Sequence, residues 1–177
     1  DSGWQTLDKH RNDLQNKNRH PFTVQWSAEA DQLKNYLKKN GWRMVENKPF
    51  NYAQWFNPVA SIEQLPVLAH VHDGRYDNLR FYKLSADQKN LIVIRLWTTD
   101  TLIKRKSKKI ALWTGNISYL KIKDLFLIRY LYTDYDFNAP LDEFASTAQG
   151  VSVTFKKRIT EENKHPDNKV LLVTMQD

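Results

Sequence analysis

Hydrophobic and polar residues alternate in register along much of the chain, and this pattern predicts strands more often than helices. Residues 22–26 alternate (Phe22, Val24 and Trp26 against Thr23 and Gln25), residues 79–84 do so more loosely, and residues 91–97 form a nearly continuous apolar run suited to a central strand. Residues 4–7, 42–45, 67–71, 110–115, 116–120, 125–132, 151–155 and 170–174 read as further strands. Residues 8–20 are polar and basic and read as a loop or short helix after the first strand. One stretch has helical spacing: Ala30, Leu33 and Leu37 share a face, Glu29 and Asp31 sit near the start, and Lys38 and Lys39 occupy the last turn. Ser27 is the expected N-cap, and Asn40-Gly41 the stop. Residues 142–148, with Pro140 before and Gly150 after, suggest a second short helix, and residues 61–65 a helical turn. Short connections between apolar runs favour hairpins over crossovers. The expected class is α+β: a mostly antiparallel sheet with one or two helices packed on a face.

A chain of 177 residues suits a single domain over residues 1–177, with residues 1–20 belonging to it as an N-terminal strand and basic loop. Cysteine is absent, which removes disulfides, thiolate-bound zinc, iron–sulfur clusters and thiol nucleophiles. The longest apolar runs fall far short of the ~20 residues that a bilayer span requires. The opening Asp1-Ser2-Gly3 carries neither Met nor a leader, which is expected of a trimmed chain or of a processed product separated from its natural neighbours.

Lysine and arginine outnumber aspartate and glutamate 27 to 20, a net charge of +7, which favours polyanionic partners. The densest positive run is Lys104-Arg105-Lys106-Ser107-Lys108-Lys109. It lies between two apolar strands, so it reads as a solvated hairpin tip that guards a sheet edge, or as a docking point for anionic head groups. Arg95 interrupts an apolar strand and must find a carboxylate, a backbone acceptor or a ligand; Asp100 is the expected partner. No aromatic-basic string of the kind that stacks single-stranded bases occurs, which leaves a nucleic-acid-binding domain as a further alternative and not the favoured reading, and Trp26, Trp42, Trp97 and Trp113 fall inside apolar strands as core residues.

The segment His70-Val71-His72-Asp73-Gly74-Arg75 holds the chemistry most open to a catalytic reading. Histidines at i and i+2 of a strand share a face, Asp73 could add oxygen, and Arg75 could clamp phosphate. The other histidines, His10, His20 and His165, complete no ligand motif, so the favoured reading is a strand end followed by an Asp-Gly turn, with no metal and no cofactor. A phosphate-ester hydrolase using His70, His72 and Asp73 is the alternative. Serine-elbow, P-loop and dinucleotide motifs are absent.

In their order along the chain, several short motifs resemble one family. They are Phe22-Thr23-Val24-Gln25-Trp26-Ser27 leading to Asn40-Gly41-Trp42, then Leu65-Pro66-Val67-Leu68, His72-Asp73-Gly74-Arg75, Ile94-Arg95-Leu96-Trp97 and Leu112-Trp113-Thr114-Gly115. Together they resemble the LssY-like C-terminal domain family of bacteria, over residues 4–118. The resemblance implies a soluble appendage of a multi-pass membrane protein carrying DedA-like segments or a type 2 phosphatidic acid phosphatase domain. It implies no catalytic residues. The expected function is therefore a non-catalytic binding or regulatory domain beside a membrane. Its expected partners are a membrane-embedded domain of the same parent chain and an anionic membrane surface or phosphorylated lipid. The expected ligand residues are Arg75, Arg95, Lys104, Arg105, Lys106, Lys108 and Lys109. The positive charge favours the cytoplasmic face.

Overall fold

In the computed structural model, residues 3–15, 17–46, 51–105, 107–157 and 169–176 are described. The strands are β1 (His10–Asn12), β2 (Asn18–Pro21), β3 (Val24–Ser27), β4 (Arg43–Met44), β5 (Val71–His72), β6 (Arg75–Tyr76), β7 (Leu79–Leu84), β8 (Leu91–Arg105), β9 (Lys108–Leu125), β10 (Ile128–Thr133), β11 (Val151–Lys157) and β12 (Lys169–Met175). The α-helices are α1 (Ala30–Lys39) and α2 (Asn138–Thr147). Eight strands form one sheet in the order β11-β12-β3-β9-β8-β7-β4, with β10 beside the far half of β9; β1-β2 and β5-β6 are separate hairpins.

This corrects the expected class. The chain is mostly β, its main sheet is mixed, and only two α-helices accompany it among the described residues. The parallel pair is β12 with β3, Leu171 facing Val24. Hairpin spacing could not reveal it, because the two strands are separated by most of the 177 residues.

Side-chain alternation sorts the sheet into two faces. Val24, Trp26, Phe81, Ile92, Ile94, Leu96, Trp113 and Ile117 form the larger core with Leu33 and Leu37 of α1 and Leu141 and Phe144 of α2, so both helices cover this face. Leu91, Val93 and Leu120 form a smaller cluster with Val67 on the other face. The same parity places Arg80, Arg95, Asn116 and Ser118 on that second face, all buried.

Some boundaries differ from expectation. Residues 3–5 form a short 3-10 turn rather than the start of a strand, and the basic loop contains β1 and β2. Of residues 67–71, only Val71 enters a strand. Ser27 does not cap α1: it ends β3, paired with Leu112 and Thr174, and the N-cap is Glu29, without a side-chain bond. Pro140 lies inside the first turn of α2, where its missing N–H is one that the helix leaves unused. Gly41 ends α1 at φ +80° as expected.

Candidate functional site

The β8–β9 hairpin outreaches its neighbours. Pairing with β7 ends at Leu96, pairing with β3 begins at Leu112, and residues 102–105 and 108–111 continue alone as a two-stranded arm. Its register sets Lys104 against Lys109 and Arg105 against Lys108. Like charges in direct opposition weaken a strand pair, so the sheet itself gains nothing from them. Lys104, Lys108 and Lys109 are exposed, whereas Arg105 donates from Nη1 to the Met175 carbonyl at 2.6 Å, tying the arm to the end of β12. Lys106 lies outside the described residues.

Between the arm and β11–β12 runs a groove of about 740 Å³. Its walls include Trp4, Leu102, Ile103, Ile110 and Leu172, and its cations are Lys104, Arg105 and Lys156; no described lining residue is a carboxylate. An apolar trough with cations at its rim can hold an amphiphile by its chain and its anionic head at once.

A second polar assembly lies under the β1–β2 hairpin. Arg80 of β7 is paired directly with Arg95 of β8, which is paired with Asn116 of β9, giving a row across three strands. Arg95 is 1% exposed. Its contacts are long: Nη1 to Ser118 Oγ and Nη2 to the Leu68 carbonyl, both 3.4 Å, and Nε 3.6 Å from Asp77 Oδ2. Asp77 replaces the expected partner Asp100, which lies within the bulge between Thr98 and Leu102 and lines a separate pocket beside the β5–β6 turn. Asp77 Oδ1 is also 3.9 Å from Arg80 Nη1. Arg11, from β1, is buried and donates to the Val71 carbonyl at 2.6 Å. Burial lowers the Arg95 pKa to about 10, which leaves it charged at neutral pH, and raises that of Asp77 against the pull of Arg80 and Arg95. Burial, then the charges of Arg11 and Arg95, lower His20 to about 4, and burial with Arg95 and Arg11 drives His70 lower still, so both imidazoles are neutral.

The two histidines of the H-x-H segment address different neighbours. The His70 ring lies 5.4 Å from that of His20, tilted by 49°, and within the field of the arginine row, whereas His72 meets Phe22 edge-on at 4.7 Å. His72 Nε2 lies 3.4 Å from Asp8 Oδ2 and 3.5 Å from Asp73 Oδ2, and these three side chains are the one potential metal-ligand group among the described residues. Their hydrogen bonding opposes that use. The Asn12 backbone N–H donates to His72 Nδ1 at 3.2 Å, so in the neutral ring the proton sits on Nε2 and faces the carboxylates as a donor. A metal at Nε2 would require that proton to leave while Nδ1 stayed an acceptor. Asp73 and Gly74 both have positive φ, 46° and 74°, which makes the predicted Asp-Gly turn a two-residue hairpin turn between β5 and β6. Arg75 is exposed, and its carbonyl accepts from Trp97 Nε1 at 3.2 Å. The pocket beside it, about 300 Å³, is lined by Asp8, Asp73 and Asp100 as well as Arg75, and so lacks the one-sided charge of the groove.

The structure brings Lys104, Arg105, Lys108 and Lys109 together on the arm, Arg95 and His70 together under the N-terminal hairpin, and His72, Asp73 and Arg75 together at the β5–β6 turn. Sequence reasoning missed Arg11, His20, Asp77, Arg80 and Lys156. The parity of Arg80 and Arg95 in two paired strands was a readable signal, whereas Arg11, His20 and Asp77 come from segments without periodicity.

Among the described residues no helix is long and apolar enough to cross a membrane. Residues 4–136 match the family model described as LssY C-terminus. The match contains the arm and the arginine row, and stops before α2, β11 and β12. No curated protein and no solved structure matches the chain.

Proposed function

Because the chain belongs to the LssY C-terminus family, we propose that it is a non-catalytic binding domain held beside a membrane by a membrane-embedded part of its parent protein, and that it takes an anionic amphiphile, a phosphorylated lipid, into the groove between the β8–β9 arm and β12. The observation that carries this reading is the groove's composition, an apolar wall with Lys104, Arg105 and Lys156 and no carboxylate among the described lining residues. The opposed cations of the arm support it, because cations near an anionic surface contribute about 1 kcal/mol each, more than such opposition costs a strand pair.

Co-sedimentation with vesicles tests it. Phosphatidate-containing vesicles should bind the protein and phosphatidylcholine vesicles should not, with binding falling as salt rises. Neutralising one groove cation, Lys104→Gln or Lys156→Gln, should weaken binding about fivefold, the equivalent of about 1 kcal/mol. Equal binding to both vesicle types, or no effect of either substitution, would refute the proposal.

A further inference from the structure

β9 projects from the sheet at both ends. Its pairing with β8 stops where Leu91 faces Leu120, and residues 121–125 run on with residues 128–132 of β10 as a second two-stranded arm. The turn that closes this arm, Leu125-Phe126-Leu127-Ile128, is apolar throughout. Leu125 is 60%, Phe126 96% and Leu127 61% exposed. Exposed apolar residues scattered singly are ordinary, but three in succession at a protruding tip form a patch that marks a contact surface. Phe126 also takes φ +53°, a left-handed conformation that tight hairpins ordinarily give to glycine or asparagine. Local folding preference thus favours a small residue at the very place where the chain sets a fully exposed ring, so the ring is not there for the fold.

The rungs behind the tip are layered. Leu125 faces Ile128, Asp124 faces Arg129, and Lys123 faces Tyr130. Asp124 is the one carboxylate of residues 120–133, and Arg129 grips both its oxygens, Nε to Oδ1 at 2.7 Å and Nη2 to Oδ2 at 3.0 Å. The exposed Lys123 then gives these three rungs a positive excess, while Lys121, farther back, meets Asp134. At about 3.4 Å per residue, Lys123 and Tyr130 stand about 7 Å behind Leu125. Interfacial elements sink about 5–10 Å, with lysine and aromatic side chains left at the level of the head groups. The segment beside the arm has the same character. Arg129 Nη1 donates to the Ala60 carbonyl at 3.1 Å and the Trp55 ring lies 6.4 Å from that of Tyr130, so the stretch that carries the exposed Phe56 and Val59 flanks this hairpin.

We infer that the β9–β10 tip is a membrane-insertion wedge, in which Leu125, Phe126 and Leu127 enter the interfacial layer of an anionic bilayer while Lys123 meets its head groups. A convex apolar tip suits a fluid interface that closes around it, whereas a protein partner would have to supply a pocket shaped to it. The wedge stands on its own residues and not on the groove, which lies towards the opposite end of β9. From residue 108 to residue 125 that strand spans about 58 Å at a rise of about 3.4 Å per residue, so the two ends can be probed separately.

The chain has no cysteine, so Leu127→Cys can carry a single environment-sensitive fluorophore. On phosphatidate-containing vesicles its emission should shift to the blue and be quenched by nitroxides on the lipid acyl chains. The same label on Ser107→Cys, at the end of the opposite arm, should stay in water. Phe126→Gly should weaken co-sedimentation with these vesicles about tenfold, with an unfolding midpoint at or above that of the wild type. A quenched tip label, with Lys104→Gln binding as the wild type does, would uphold the wedge and refute the groove. A tip label left in water, with binding weakened by Lys104→Gln, would uphold the groove and refute the wedge. Sedimentation velocity tests the other occupant: a dimer of the free chain that is lost in Phe126→Gly would assign the tip to a second copy and overturn the inference. So would equal quenching of the two labels, absence of vesicle binding, or binding unaffected by Phe126→Gly.

Discussion

Replacing Gly115 with alanine inserts one methyl group into the seam between β8 and β9. Gly115 pairs with Leu96 on one side and Val24 on the other, at the centre of the sheet. A Cβ built there would lie 1.9 Å from the Arg95 carbonyl oxygen and 2.9 Å from both the Arg95 carbonyl carbon and Leu96 Cδ2. The first contact is more than 1 Å inside the closest approach that a Cβ tolerates, and it is with backbone that cannot rotate away. Overpacking of this kind costs roughly 1–3 kcal/mol, sometimes more, and the backbone contact puts Gly115→Ala at the upper end. For a chain of this size about 3 kcal/mol lowers the melting midpoint by roughly 6–12 °C. Gly41→Ala is the comparator: nothing lies within 4 Å of its Cβ, but its φ is +80°, so it should lose only about 1–2 kcal/mol to left-handed strain. Urea unfolding followed by tryptophan fluorescence measures both. A Gly115→Ala variant within about 0.5 kcal/mol of wild type, or less affected than Gly41→Ala, would refute the close approach of β8 to β9 on which the placement of Arg95 rests.

Acidity should act through the two buried imidazoles. Their folded-state pKa values lie below the unfolded reference of 6.5, His20 at about 4 and His70 lower, so the unfolded chain takes up protons first and stability falls as pH drops from about 6.5 towards 4. Each imidazole can contribute up to about 1.4 kcal/mol per pH unit in that window, and denaturation midpoints that stay flat between pH 7 and 5 would contradict their burial. At the β9–β10 turn, Leu125, Phe126 and Leu127 are all exposed, and Phe126 is 96% exposed at φ +53°. Phe126→Gly should therefore leave thermal stability unchanged or raise it by about 0.5 kcal/mol, since relief of left-handed strain offsets the entropy of glycine in the unfolded chain; a loss of more than about 1 kcal/mol would show that the ring packs against the protein.

Strong local signals were legible. The apolar run at residues 91–97 became the first half of the longest pairing, the spacing of Leu33 and Leu37 gave α1 its buried face, and the basic run marked a hairpin tip in register. What escaped depended on distance. The β3–β12 pair joins residues some 150 apart, and no local pattern encodes such a partner. Arg95 was rightly expected to need a counter-charge, but Asp77 comes from a loop whose place over the sheet is set by the β5–β6 hairpin, not by its own residues. The H-x-H spacing suggested convergence, yet the two rings meet different partners, His20 of β2 for one and Phe22, just after β2, for the other.

The parallel seam between β3 and β12 also governs when the protein can become whole. During synthesis, β12 leaves the ribosome some 145 residues after β3. Until then Val24 and Trp26 lack the strand that brings Leu171 and Val173 to the same core. The nascent chain must therefore carry an open strand edge while those residues are made, and a cell that makes this protein has to shield that edge until β12 arrives.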